Sequence, residues 1–309
     1  MNLRDLRYLV AVAEHRHFGR AADACFVSQP TLSAQLKKLE AFLGAQLVER
    51  SSKQVMLTPI GDEVARRARL ILNTADDIVE VARAAHDPLA GDLRLGVIPT
   101  VAPYLLPHLF PALAQELPQL RPLLHEEPTA RCLDKLRQGA LDAAIIAVPV
   151  EGGDAFPQLT LYDEPFLLAA PEDHPLAAHP RLSLDDLMDT RMLLLDEGHC
   201  LRDQALSLCH AVGAVEATEF RATSLETLRQ MAATGAGPTL LPELATGTVG
   251  EGGLALRRFL DPQPRRRIAA LWRKGSAREP AVRALVRVVR ALDPVHRLAA
   301  SLEHAPASA

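Results

Sequence analysis

Hydrophobic positions along the first ninety residues change period twice, and each change predicts an element. Leu3, Leu6, Leu9, Val10, Val12 and Ala13 recur at helical spacing and stop at the His-Arg-His-Phe cluster of residues 15–18. Residues 19–25 (GRAADAC) predict a short second helix whose small side chains let it cross a neighbour closely. Residues 26–28 then predict a tight turn. Ser28 is suited to cap a third helix, with Gln29 and Pro30 in its first turn, where the missing proline amide has no partner to lose. Leu32, Leu36 and Leu39 give that helix an inward face and leave Gln29, Thr31, Ser33, Gln35 and Lys37 outward. Residues 47–50 and 55–58 predict two short strands around a turn at 51–54. From Pro59 the helical period returns through Val64, Ala65, Ala68, Ile71, Leu72, Ala75, Ile78, Val79 and Ala82, to about residue 86. A stripe that long between two domains predicts a second copy of the chain as its cover.

Beyond Pro88 and Gly91 the pattern alternates strand and helix: strands at 93–98, 120–125 and 142–148, helices from 100 to 109 and from 130 to 138. This βαβαβ order implies parallel pairing, and ligands of such sheets lie beyond the strand carboxyl ends. Thr100 and Thr129 both fall there, each beside a helix start; helix capping alone would also explain them. A second lobe begins at 166–170 and holds Ser224 as the cap of a helix from Leu225. The strand 268–272 and the helix 281–292 are expected to return to the first lobe. Residues 235–242 lack the spacing of a nucleotide-binding loop.

Composition adds compartment and charge. At 309 residues and 48% hydrophobic content the chain is long enough for two domains. Residues 1–58 hold eight Lys/Arg against five Asp/Glu, a balance of +3 within a chain of net charge -4, so the remainder carries -7. A basic head on an acidic body suits a nucleic-acid-binding domain joined to something else. No apolar run approaches the roughly 18 residues a membrane span needs, and the start lacks a signal-peptide core, so a cytoplasmic protein is expected. Disulfides there are usually transient.

Four cysteines then matter. Cys25 and Cys132 are read as packing. Cys200 and Cys209 lie in residues 196–210, DEGHCLRDQALSLCH, with His199, Arg202 and Asp203 around the first. A neighbouring cation and a helix start both favour a thiolate. Nine residues of helix would separate the two α-carbons by roughly 13 Å, on opposite faces, whereas a disulfide needs about 7 Å or less. A bond between them requires the segment to unwind. Inert packing remains open, as does metal binding through His199-Cys200 and Cys209-His210, although structural zinc sites space their paired ligands by a few residues.

The stretch RYLVAVAEHRHFGRAADACFVSQPTLSAQLKKLEAFLGAQLVERSSKQVMLTPIG, residues 7–61, resembles the winged helix-turn-helix of the LysR-type transcriptional regulators. The resemblance implies an α/β protein with an N-terminal winged helix-turn-helix over 1–58, a dimerising linker helix and hinge over 59–90, and a two-lobed regulatory domain over 91–309, like a periplasmic binding protein. Lobe I would span 91–162 with 268–300, and lobe II 163–267. It implies a dimer or tetramer on a pseudo-palindromic operator, read by Gln29, Pro30, Thr31, Ser33, Gln35 and Lys37, with Arg50 and Lys53 of the wing on the backbone. The segments DEGHCLRDQALSLC, FRATSLETLRQM and RRRIAALWRKGS, with Thr100 and Thr129, are similar to the peroxide-sensing members of that family. That similarity implies Cys200 as the peroxidatic cysteine and Cys209 as the resolving one. Thr100, Thr129, His199, Arg202, Asp203 and Arg266 would bind peroxide or tune the thiolate, the run Arg265-Arg266-Arg267 leaving its register open. Promoter DNA, a second copy, hydrogen peroxide and RNA polymerase are the implied partners, with no cofactor, no metal and no membrane. A regulator sensing a small metabolite between the lobes is the alternative. A thiol peroxidase would leave residues 1–58 without a use, so an enzyme is not expected.

Overall fold

A computed structural model describes residues 1–50, 55–84, 87–198, 200–247 and 253–303. Two compact units are present, one built on residues 1–86 and the other on residues 87–136 and 141–309.

The first unit contains α1 (Leu3–His15), α2 (Phe18–Ala24), α3 (Gln29–Leu43), β1 (Val48–Arg50), β2 (Val55–Leu57) and α4 (Pro59–Ala84). Each of the first three helices has a polar side chain on its first free amides. Asn2 and Asp5 cap α1 reciprocally, His17 Nδ1 accepts from Gly19 and Arg20, and Ser28 Oγ accepts the Thr31 amide at 3.3 Å. Gly44, at φ +66°, ends α3 in the left-handed conformation that glycine adopts without strain. Leu9, Leu32, Leu36, Leu39 and Leu47 fill the core. The Glu40 carboxylate accepts the Leu47 and Val48 amides at 2.9 and 3.1 Å, fastening α3 to the antiparallel hairpin of β1 and β2.

Two expectations need correction here. The α4 stripe is not left wholly to a second copy: Ala65 is buried in the head core, and Ala68 and Leu72 pack with Leu6 of α1. The exposed members of the stripe are Ile71, Ile78, Val79 and Ala82. Cys25 is partly exposed rather than buried, because α2 ends one residue before it and Cys25 is the C-cap.

In the second unit follow β3 (Gly91–Val97), α5 (Ala102–Glu116), β4 (Leu120–Glu126), α6 (Thr129–Arg137), β5 (Ala143–Val148), β6 (Gln158–Pro171), β7 (Arg181–Leu182), β8 (Arg191–Leu195), α7 (Cys200–Val212), β9 (Val215–Ala222), α8 (Leu225–Ala233), β10 (Thr239–Pro242), α9 (Glu243–Thr246), β11 (Leu254–Phe259), β12 (Arg265–Trp272), α10 (Glu279–Arg290) and α11 (Asp293–Glu303). The α5 helix runs past residue 109 despite Pro107 and Pro111, because Leu105, Leu109 and Leu113 bury one face at i, i+4 spacing.

Strand order is β4-β3-β5-β12-β6-β10-β8-β9, with β11 on β6 and β7 on β11. β3 pairs parallel with β4 and β5, as the βαβαβ order requires, whereas β12 returns antiparallel between β5 and β6. The two lobes share β6: its first half pairs with β12, its second with β10 and β11. The lobe boundaries expected at 162/163 and 267/268 therefore pass through strands. Lobe I has one core, including Leu95, Val97, Ile145, Ile268 and Trp272; lobe II has two, around Leu193 and around Leu194. Among the described residues no helix is long and apolar enough to cross a membrane.

Candidate functional site

Parallel pairing of β3 with β4 aligns Val97 with Glu126, so both strands end at one edge of the sheet. The loops that leave that edge carry Thr100 and Thr129. With Ile98, Pro99, Pro128, Gly198 and Cys200 they line a small cleft. A β-carbon added at Gly198 would meet nothing within 4 Å, but the residue sits at φ +91°, so the turn requires its conformational freedom rather than its size. That turn leads directly into α7, of which Cys200 is the first residue.

Neither threonine acts as an ordinary cap. The N-cap of α5 is Val101, which makes no side-chain capping bond. The Thr100 hydroxyl instead accepts from Arg266. Thr129 begins α6 and is 6% exposed, yet its hydroxyl finds no hydrogen-bond partner among the described residues. A buried hydroxyl left unpaired costs free energy, so one on the wall of a cleft favours a small polar molecule that can bond to it.

Cys200 is partly exposed and packs against the lobe I core, whereas Cys209 is fully buried in a lobe II core with Met192, Leu194 and Ala205. Both are free thiols on one continuous helix. Burial pushes the Cys209 thiol up to about 11. Cys132, one turn beyond Thr129, is fully buried and donates to the Glu127 carbonyl at 3.5 Å. Burial, then the nearby Glu127 carboxylate, push its thiol up to about 12. A side chain at Gly96 would meet Cys132 Sγ at 3.1 Å, which shows how closely α6 lies on the sheet.

Of the three consecutive arginines, Arg266 is buried and its two neighbours are exposed, the alternation of a strand. Its Nη1 donates to Thr100 Oγ1 at 2.9 Å and its Nη2 to the Thr100 carbonyl at 3.0 Å. Its Nε donates at 2.8 Å to Glu164, a fully buried residue of β6 directly across the strand pair. The other Glu164 oxygen accepts the Leu244 amide at 2.9 Å.

Arg202 has a different partner. It reaches Glu216 on β9 through two bonds of 2.8 and 3.2 Å, and this pairing is the main cause holding the Glu216 carboxyl below its usual range. Arg202 and the exposed Asp203 lie in the first turn of α7 but are not among the residues lining the cleft. His199 lies outside the described residues. Sequence reasoning missed Glu164 and Glu216. The signal for Glu164 was strand alternation: of the adjacent acids Asp163 and Glu164, only Glu164 shares a face with Tyr162 and Phe166, where a buried carboxylate demands a partner.

On the head, Gln29, Pro30, Thr31 and Lys37 are exposed and Ser33 and Gln35 half-exposed on α3, with Thr31 also bonded to Ser28 at 2.8 Å. Arg50 ends β1, its side chain outside the described part, and Lys53 lies outside the described residues.

Two family models match: "Bacterial regulatory helix-turn-helix protein, lysR family" over residues 3–62, and "LysR substrate binding domain" over residues 86–293. The Escherichia coli "DNA-binding transcriptional dual regulator OxyR" is 47% identical over 292 residues, covering 94% of this chain and 95% of that protein. A solved full-length Pseudomonas aeruginosa OxyR with a cysteine replaced by aspartate is 40% identical, with a TM-score of 0.77 over 96% of this chain and 99% of that one. A Corynebacterium glutamicum OxyR with a cysteine replaced by serine, bound to hydrogen peroxide, is 37% identical, with a TM-score of 0.66 over 98% and 96%.

Proposed function

This chain belongs to the LysR family of bacterial helix-turn-helix regulators, and we propose that it is a peroxide-responsive transcriptional regulator like the OxyR proteins it resembles. The observation that supports this reading best is the cleft itself: a partly exposed thiol at a helix N-terminus lines it together with one threonine whose hydroxyl is oriented by Arg266 and one whose hydroxyl has no partner among the described residues.

The Cys200 thiolate attacks one oxygen of hydrogen peroxide, an S–O bond forms, the O–O bond breaks, and the second oxygen leaves as hydroxide, which takes a proton from solvent. Cys200 is then a sulfenic acid. Attack by the Cys209 sulfur forms the disulfide and releases water. Overall two thiols are oxidised and one peroxide is reduced to two waters. Nine residues of helix separate the sulfurs and each packs in a different lobe, so α7 must unwind before the second step. That local refolding alters the regulatory domain and resets how the heads of a dimer or tetramer engage promoter DNA and RNA polymerase in the cytoplasm. Gln29, Pro30, Thr31, Ser33, Gln35 and Lys37 read the operator, with Arg50 and Lys53 on its backbone. His199 and Asp203 complete the environment of the thiolate, and Arg202 acts by holding α7 to β9. No cofactor or metal takes part, and the protein switches once rather than turning over.

The test is the Cys209→Ser chain treated with hydrogen peroxide. A sulfenic acid trapped at Cys200, with the reduced operator footprint retained, is expected. A full oxidised footprint in that variant would remove the disulfide from the mechanism. A footprint that instead responds to a small metabolite with both cysteines replaced would favour ligand sensing.

A further inference from the structure

The Arg266 cation lies beside the cleft, and the simplest expectation is that its charge favours the Cys200 thiolate. The structure cancels most of that charge. Glu164 is fully buried and sits 2.8 Å from the guanidinium, so the pair is close to neutral at any distance beyond a few ångströms. What survives is direction. A guanidinium only donates, so Thr100 Oγ1 can only accept from Arg266, and the hydroxyl proton is turned away from it. Thr100 is also one of the residues that line the cleft with Cys200. Its hydroxyl is thereby set to donate to a molecule bound against Cys200.

Glu164 fixes the geometry on which this depends. It takes the Nε–Nη2 edge of Arg266, so that Nη1 is turned to the Thr100 hydroxyl while Nη2 also reaches the Thr100 carbonyl. Its own second oxygen is held by the Leu244 amide at the start of α9. The carboxylate is therefore tied at both oxygens and the guanidinium along two edges, with no freedom to rotate.

We infer that Glu164 is a positioning residue for peroxide reduction: through Arg266 it orients the Thr100 hydroxyl as the hydrogen-bond donor to the departing peroxide oxygen. The inference rests on the reading of Cys200 as the peroxide-reactive cysteine. The alternative, tuning by bare charge, makes the opposite prediction. Replacing Glu164 by neutral glutamine would leave Arg266 uncompensated and would accelerate every reaction of the Cys200 thiolate.

The experiment measures Cys200 oxidation by hydrogen peroxide in the full chain carrying Cys209→Ser, for Glu164→Gln, Thr100→Val and the double variant. Alkylation of Cys200 by iodoacetamide, which needs no oxygen leaving group, is followed in parallel. Loss of a preorganised donor costs on the order of 100-fold, so Thr100→Val should slow peroxide by about that factor and Glu164→Gln by at least about tenfold. The double variant should be no slower than Thr100→Val, since one residue acts through the other. Iodoacetamide rates should stay within about threefold. Glu164→Asp, which keeps the charge but withdraws the carboxylate, should show the same selective loss and serves if the glutamine variant does not fold. Wild-type oxidation rates for Glu164→Gln, an equal fall with iodoacetamide, or effects that multiply in the double variant would each overturn the inference. Failure of Cys200 in the otherwise unaltered chain to react with peroxide would instead remove the sensing reading beneath it.

Discussion

Replacing Glu216 by glutamine should make the Cys200–Cys209 disulfide harder to reduce. Glu216 receives two bonds from Arg202, and the two side chains are 17% and 9% exposed, so the pair is largely shielded from water. Hydrogen bonds to charged groups contribute about 1.5–3 kcal/mol net, against about 1 kcal/mol for neutral ones. Glutamine keeps a neutral acceptor, leaving a loss of about 1.4 kcal/mol. Arg221 lies 3.9 Å from Glu216 and adds little at its exposure. The loss falls on the reduced state, because the bond joins α7 to β9 and α7 must unwind for the sulfurs to meet. About 1.4 kcal/mol is tenfold in the equilibrium constant and about 30 mV for a two-electron couple. The midpoint should move about 30 mV more negative. Full-length protein equilibrated in thiol–disulfide buffers, quenched with a mass-tagged alkylator, reads that midpoint directly. An unchanged midpoint, or a shift to less negative potential, would refute the claim that this ion pair restrains the reduced helix.

Three further outcomes are expected. Lys135 holds the Glu127 carboxyl, and Arg202 the Glu216 carboxyl, below the ordinary 4.5; their stabilisation is complete above that pH and is lost as pH falls through the lower folded values. Melting temperature followed by circular dichroism should therefore fall below about pH 4.5, less steeply in Glu127→Gln. Cys132, buried and with its thiol pushed up to about 12, should resist iodoacetamide at pH 8 in the native chain while Cys200 is modified, as peptide mapping would show. Lys37→Ala on the exposed face of α3 should weaken binding to all DNA sequences alike and reduce the salt slope of binding by about one, measured by fluorescence anisotropy.

The fold was legible where local chemistry and period agree. Ser28 with Pro30 announced α3, and the βαβαβ order alone was enough to place Thr100 and Thr129 at one sheet edge. Side-chain partners were legible only where they follow from alternation. Arg266 shares a face with buried Ile268, two residues on, so the inward member of the arginine run was recoverable from the strand period. Arg202 was not: its neighbours in sequence suggested Cys200, but Glu216 comes from a strand whose register shifts beside β8, which no local pattern encodes. Glu164 was missed for the same reason. Its partners Arg266 and Leu244 are 102 and 80 residues away, and only the strand pairing brings them together. The α4 stripe misled in the other direction, since its periodicity is continuous while its cover by α1 ends at Leu72.

Peroxide sensing by this chain stands or falls on two coupled events: closure of Cys200 onto Cys209, and a change in DNA binding that follows from it. The most direct measurement titrates the full-length protein with hydrogen peroxide and divides each sample between peptide mapping of the cysteines and footprinting on its promoter DNA. The Cys200–Cys209 disulfide and the altered footprint should rise together, near one equivalent of peroxide per chain, with Cys25 and Cys132 still thiols. A footprint that changes while both thiols remain free, or a disulfide that forms with the footprint unmoved, would contradict that coupling.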